Sequence, residues 1–276
     1  AATITNSSAV GNVLGEDSVG GLVGLNLAEL RVDNVNGVDS VINSNLISAS
    51  ISSSSATGNV AGSYQVGGLV GTNKFNNIGQ DYQEGNRFVA RIEQSYALGN
   101  VSTTDMSAGG LVGANYGSIE SSFATGYASG VSYVGGLVGY GAGSVSNSYA
   151  TGNVTGSADY IGGLVGFNDI GSISNSYAIG AVTDNGYGSA GGLVGYNIGS
   201  ISNSFWNTET TGQNSGIGNG NVDQSGATGL TTASMRSLSS FTAWGLDINK
   251  TGAPVTTWRI YEGHTAPLLT NFMSPY

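Results

Sequence analysis

The sequence predicts an all-β protein, a right-handed parallel β-helix of about seven coils with a C-terminal cap that contains a short helix. Three observations predict it. A Gly-Gly-Leu-Val-Gly block recurs six times, and a second repeated block follows it. Gly makes up 47 of 276 residues, in a chain that also holds 14 Tyr, 7 Phe and 3 Trp and is 39% apolar. Disordered Gly-rich chains are poor in apolar and aromatic residues, so these glycines read as punctuation in an ordered β structure.

The first block occupies 20–24, 67–71, 109–113, 135–139, 162–166 and 191–195. Its copies start 47, 42, 26, 27 and 29 residues apart, a base period of 26 to 29 with two longer early repeats. The second block, Gly-Ser-Val-Ser-Asn-Ser-Tyr-Ala-Thr-Gly-Asn-Val-Thr-Gly at 143–156, has counterparts at 117–130, 171–184 and 199–212, and degenerate ones near Ile4, Ile51 and Ile92. The period is too short for a propeller blade, and the pattern lacks a leucine-rich or helical repeat. It fits one β-helix coil, two or three short strands closed by Gly turns. Seven coils at the strand spacing of about 4.8 Å give a rod of about 35 Å.

Stacking places like residues above one another. The expected ladders are Leu111, Leu137, Leu164 and Leu193; Ile119, Val145, Ile173 and Ile201; and a buried aromatic row of Tyr96, Phe123, Tyr149, Tyr177 and Phe205. Each coil buries its apolar face only against its neighbours. Two amide ladders are expected, Asn147, Asn175 and Asn203 in one, Asn73, Asn115, Asn168 and Asn197 in the other.

The solenoid is expected over residues 1–205, with insertions at 25–50 and 72–93, and the cap over 206–276. Thr232 to Trp244 reads as a short helix, with Met235, Leu238 and Phe241 at three-residue steps. Trp206, Trp244 and Trp258 supply the apolar cover that an open coil end needs. The insertions hold four of the seven bases. They read either as tolerated loop extensions or as binding loops on one flank. The second combines Lys74, Phe75, Tyr82, Arg87, Phe88 and Arg91, the aromatic and Arg types of binding hot spots.

Charged residues are only 9%, and the net charge is −10. That argues against nucleic acid and anionic membranes as partners. No apolar run is long enough to span a bilayer. With no Cys and one His, His264, there is no thiol chemistry, His-based triad or ordinary zinc site. Asp105, Glu120, Asp159, Asp169 and Asp184 sit at different repeat positions, and only Asp159 and Asp184 are in approximate register for a pair. No cofactor is expected. Calcium is the one metal left open, at Asn219, Asn221 and Asp223 in a Gly-rich loop.

Gly68, Leu69, Val70 and Gly71, with their copies, resemble the GLUG repeat of large bacterial exoproteins. These include filamentous-haemagglutinin-like adhesins exported by two-partner secretion. The resemblance covers roughly residues 4–212, and the segments 229–235 and 258–269 are similar to the closing segment of such arrays. It implies a secreted, cell-surface location and a non-catalytic, structural or adhesive role toward a host or matrix glycan or protein. The alternatives are a carbohydrate-active β-helix enzyme and an ice- or crystal-binding solenoid. The latter rests on Thr125, Thr151 and Thr155, of whose lines Leu98 and Ile179 interrupt the first.

Overall fold

The computed structural model describes residues 2–29, 32–35, 38–41, 47–76, 88–186, 189–220, 226–250 and 256–273. The chain winds through four parallel sheets in turn and repeats the circuit, which makes it a parallel β-helix. The first sheet has seven strands, from Ala2–Thr5 to Ser200–Ser202, and the second has eight, from Ser8–Ala9 to Ala227–Leu230. The third bends on itself. Val60–Gly67 and Val101–Gly109 cross the bend unbroken, whereas later coils split there, as in Ala128–Gly130 and Ser132–Gly135. The fourth, from Val23–Glu29 to Ile217–Gly220, carries the Leu-Val-Gly part of each block.

The bend divides the interior into two cores. The larger stacks Ile51, Ile92, Ile119, Val145 and Ile173 beside Leu69, Leu111, Leu137, Leu164 and Leu193, all almost fully buried. Burying each such side chain is worth about 1.5–3 kcal/mol, and neighbouring coils provide most of the cover. A row of alanines, Ala56, Ala97, Ala124, Ala150 and Ala178, faces inward from the second sheet. The second glycine of each block but the last lies against this row, and at Gly136 an added Cβ would sit 2.2 Å from the Gly163 oxygen and 2.8 Å from the Ala150 Cβ. The smaller core is a valine stack, Val60, Val101, Val154 and Val182 against Val66, Val134 and Ile161.

Two polar rows run through the buried parts. Asn26 donates to Asn73 (2.8 Å), Asn73 to Asn115 (2.8 Å) and Asn168 to Asn197 (2.7 Å), so this amide ladder forms as expected. Gly141 interrupts it between Asn115 and Asn168. A Cβ there meets nothing closer than 3.5 Å. Gly141→Asn is therefore expected to complete the ladder and to raise stability by about 1 kcal/mol, from a buried hydrogen bond and a stiffer unfolded chain. Denaturant midpoints check this, and a loss of stability refutes it.

The other expected amide ladder does not form. Asn147, Asn175 and Asn203 have φ of 48°, 46° and 45°, and the Asn147 and Asn175 side-chain oxygens accept no hydrogen bond. They are left-handed corner residues between the first and second sheets. Asn6, Ser53, Gln94 and Ser121 hold the same corner in other coils with φ of 47–50°. The next residue makes the real ladder. Ser54, Ser95, Ser122, Ser148, Ser176 and Ser204 are buried. Each accepts the backbone N–H of the preceding coil's serine at 3.1–3.2 Å and donates to the carbonyl two residues back at 2.7–2.8 Å. The serines thereby satisfy the backbone groups that the corner removes from the sheets.

The expected helix between Thr232 and Trp244 is replaced by 3-10 turns, Ser234–Arg236 and Leu238–Asp247, the second broken at Phe241 and Gly245. The spacing explains it. Met235, Leu238, Phe241 and Trp244 recur every third residue, which is the 3-10 period and not the α-helical one. Among the described residues the α-helix is a single turn, Thr208–Thr211, capped by Asn207.

Candidate functional site: the flanks of the solenoid

The second sheet is only two residues wide in most coils, so one residue points in and its neighbour out. Alanine takes the inner place and the aromatic row takes the outer one. Tyr96, Phe123, Tyr149 and Tyr177 stack face to face with centroids 5.0–5.1 Å apart and planes within 5°. Stacking alone does not bury them. The C-terminal segment covers them, burying Tyr149 and Tyr177 and leaving Tyr96 and Phe123 partly exposed, by running back along this flank against the direction of coil growth. Phe241 and Trp244 meet Phe205 edge-on, Trp258 lies on Tyr177 and Tyr149, and Phe272 stands edge-on to Phe123 and Tyr96. The Tyr177 hydroxyl donates to the Pro267 carbonyl at 2.6 Å, and the Trp244 indole to the Asn203 carbonyl at 2.8 Å. Burial holds the Tyr177 hydroxyl well above its ordinary pKa, and neighbouring Tyr149 adds to this. The tail is thus a lateral strap over several coils as well as a closing segment. The core end is filled by Trp206, which stands in register with the alanine row beside Ala178 and packs on Gly192 and Gly216.

The two insertions lie at the same place in the first and second coils, between the fourth and first sheets. Their bases are ladder strands and not loops. Val23–Glu29 pairs with Val70–Asn76, and Ile47–Ser52 pairs with Phe88–Glu93, in parallel. Ala28, Ala49 and Ala90 pack between these extensions. Lys74 and Phe75 therefore sit on a fourth-sheet strand beside Leu27 and Ala28, with Phe75 44% exposed. Phe88 opens the first-sheet strand opposite Ile47. Arg91 is occupied. Its guanidinium pairs with Glu93 at 2.8 Å and Glu120 of the next coil at 2.7 Å. Tyr82 and Arg87 lie outside the described residues, so the six expected binding residues are not shown as one site.

A second aromatic assembly was not anticipated from the sequence. Tyr140, Phe167 and Tyr196 stack along the fourth sheet, and Tyr133 and Tyr160 stack at the neighbouring left-handed corner. The two rows touch, with Tyr133 and Tyr160 5.4 and 5.5 Å from Phe167. All five rings are partly buried. Tyr140 donates to Asp169 at 2.7 Å, and burial together with this bond raises its pKa. The same corner is polar in earlier coils, where Ser18, Gln65 and Thr72 bond one another. The signal was available, since Tyr133 and Tyr160 each stand two residues before a block and Tyr140, Phe167 and Tyr196 each follow one directly.

The acids are also arranged differently from the expectation. Glu16, Asp17, Asp105, Asp159 and Asp184 gather along the bend of the third sheet, where Ser63 donates its N–H to the Glu16 carbonyl, Val131 to that of Asp105 and Tyr133 to that of Asp159. Asp159 and Asp184 are not in register, because Asp184 pairs with Gly156. The described residues contain no cluster of three or more His, Cys, Asp or Glu suited to a metal. Of the calcium candidates, Asn219 caps the Gly220 N–H with its own side chain, and Asn221 and Asp223 lie outside the described residues. Thr125 and Thr151 share a row with Leu98 and Ile179, while Thr155 stands in another between Ser129 and Thr183.

No curated protein and no solved structure matches the chain. Residues 104–129, 130–155 and 157–183 each match a family described as "The GLUG motif". Each match spans one circuit, beginning near the bend of the third sheet and ending in the next coil's copy of that sheet. The chain carries a segment of GLUG repeats.

Proposed function

We propose that this chain is a non-catalytic segment of a secreted bacterial surface exoprotein of the filamentous-haemagglutinin-like kind, mediating or presenting attachment to a host or matrix glycan or protein. The observation that carries the reading is the continuity of the ladders. The same rows run through successive coils, and seven strands line the first and the fourth sheet alike. Such stacking makes a stiff rod with a weakly charged, repeated surface. Stiffness suits a spacer, and a repeated surface suits many weak contacts along one ligand, whose combined avidity exceeds that of any single contact. Acids recur along the bend at Glu16, Asp17, Asp105, Asp159 and Asp184, and Glu93 and Glu120 are held by Arg91, an arrangement suited to a solvated edge. The GLUG matches support an extracellular repeat region.

The test is retention of the purified chain on arrays of glycans and matrix proteins. Removing 72–93 whole would delete the buried rungs Asn73, Ala90 and Ile92. The informative variant replaces only 77–87 with a short Gly-Ser link. It is expected to keep the parent's unfolding midpoint and to lose part of the attachment. A variant that adheres as well as the parent removes the insertion from the reading. A parent that binds nothing leaves the spacer role alone.

A further inference from the structure

A row of asparagines follows the glycine turn that joins the second sheet to the third. Asn12, Asn59 and Asn100 hold this place in the first three coils, and Tyr127 and Asn153 follow. Each of the first three side-chain oxygens accepts the backbone N–H of the next residue in the row, at 2.9–3.0 Å. Those bonds fix the orientation of every amide. The amide N–H groups of Asn12, Asn59 and Asn100 have no partner among the described residues. All three asparagines are exposed. The result is a line of held donors, repeated at the coil spacing of about 4.8 Å.

These donors border a surface groove of about 490 Å³ that runs across the first four coils. Leu14, 85% exposed, Ala61, Ser102 and Ser129 also line it, Tyr127, 40% exposed, lies at its far end, and the Val60 and Val101 residues along it are buried in the smaller core. Among the described residues, no charged one lines it. Glycines hold the turn beside the row. At Gly99 an added Cβ would lie 1.9 Å from the Gly58 oxygen, so no side chain stands there to fill the space.

We propose that this groove binds an extended, neutral glycan chain. The argument is one of complementarity. A neutral groove selects neither an anionic polymer nor a cationic peptide, since no charge is there to meet theirs. A sugar chain presents hydroxyl acceptors at intervals close to the coil spacing, and the amides present donors at that interval. The donors are oriented before the ligand arrives, so little ordering entropy is spent in binding. Concave sites with a few placed polar groups and an aromatic wall are the usual form of small-ligand sites. The site rests on the attachment reading and names a ligand class and a place for it.

The experiment is affinity electrophoresis of the whole chain through gels containing a neutral β-glucan, a neutral α-glucan or an anionic polyuronate. The parent is expected to be retarded by a neutral glycan and not by the polyuronate. Asn59→Asp keeps the oxygen that accepts the next coil's N–H and removes the central donor of the row. This variant and, separately, Tyr127→Ala should weaken binding about tenfold, or about 1.4 kcal/mol, with unchanged unfolding midpoints. Asn153→Asp has the same ladder role outside the groove, its oxygen accepting the Ala181 N–H at 3.0 Å, and should bind as the parent does. Equal retardation of parent and groove variants overturns the site and leaves attachment standing elsewhere. Retardation by the polyuronate alone, or by no glycan, overturns the proposal, and the array of glycans and matrix proteins then decides the wider reading separately.

Discussion

Tyr177→Ala is expected to destabilise the protein by about 3–5 kcal/mol, the range for truncating a buried aromatic side chain. Tyr177 is 1% exposed and stacks on Tyr149 at 5.0 Å, with Trp258 5.9 Å away across the strap. Each such aromatic pair contributes about 0.5–1.5 kcal/mol beyond its burial. The hydroxyl also holds the Pro267 carbonyl. Tyr177→Phe keeps the rings and removes that donor, so it should cost less, about 1–3 kcal/mol for a buried carbonyl left unpaired. The pair of variants separates packing from hydrogen bonding. Because the ladder lies outside the main core, the damage should appear first in the tail, as a change in the fluorescence of Trp244 and Trp258 before the far-ultraviolet β signal falls. A cost below about 0.5 kcal/mol for the alanine variant, typical of a surface position, contradicts the strap.

The strap also shows what could be read from the chain alone and what could not. The period placed the rungs, because like residues at one interval must stack. Val145 does pair with Ile119 and Ile173, and Tyr149 with Phe123 and Tyr177. Which side of the wall a row faces was not readable from the period. The aromatic row looked like core because it is apolar. Between coils the inner place goes to alanine because the glycine row opposite leaves room only for a methyl group, and only at the end of the core does Trp206 take it. The tail was legible as an aromatic cover, but no local pattern states which surface an aromatic segment covers.

The corner asparagines failed for a different reason. Asn147, Asn175 and Asn203 suggested an amide ladder, yet their row also admits Ser53, Gln94 and Ser121. A row that accepts several side chains is chosen for a backbone angle, here a positive φ, and not for amide pairing. The invariant residue was the serine beside it, which looked too ordinary to carry a ladder. The proposed binding insertion was legible as an interruption of the period. Its strand bases were not, since a long spacing between blocks looks the same whether it holds a loop or an extended pair of strands.

Glycine at the second place of each block gives the other large effect. Gly163→Ala is expected to cost at least about 3 kcal/mol, the upper part of the range for overpacking a well-packed core. An added Cβ there would lie 2.2 Å from the Gly192 oxygen and 2.9 Å from the Ala178 Cβ. Neither contact belongs to a flexible side chain. The first is backbone of the next coil, and that coil is fixed by its own pairing, Val165 with Val194 and Asn168 with Asn197. Relief therefore requires moving two coils apart, which loosens the leucine and isoleucine rungs on both sides. In a structure whose stability is a sum of interfaces between neighbours, one weakened interface divides the rod into two shorter ones. Unfolding should then lose its single transition and show two. Gly212→Ala is the control. Gly212 has φ of 70° at the end of the one-turn helix and nothing within 4 Å of an added Cβ. It should cost only the left-handed strain of about 1–2 kcal/mol and leave one transition. If Gly163→Ala costs no more than Gly212→Ala and unfolds in one step, the close approach of the glycine row to the alanine row is not what sets the spacing of the coils.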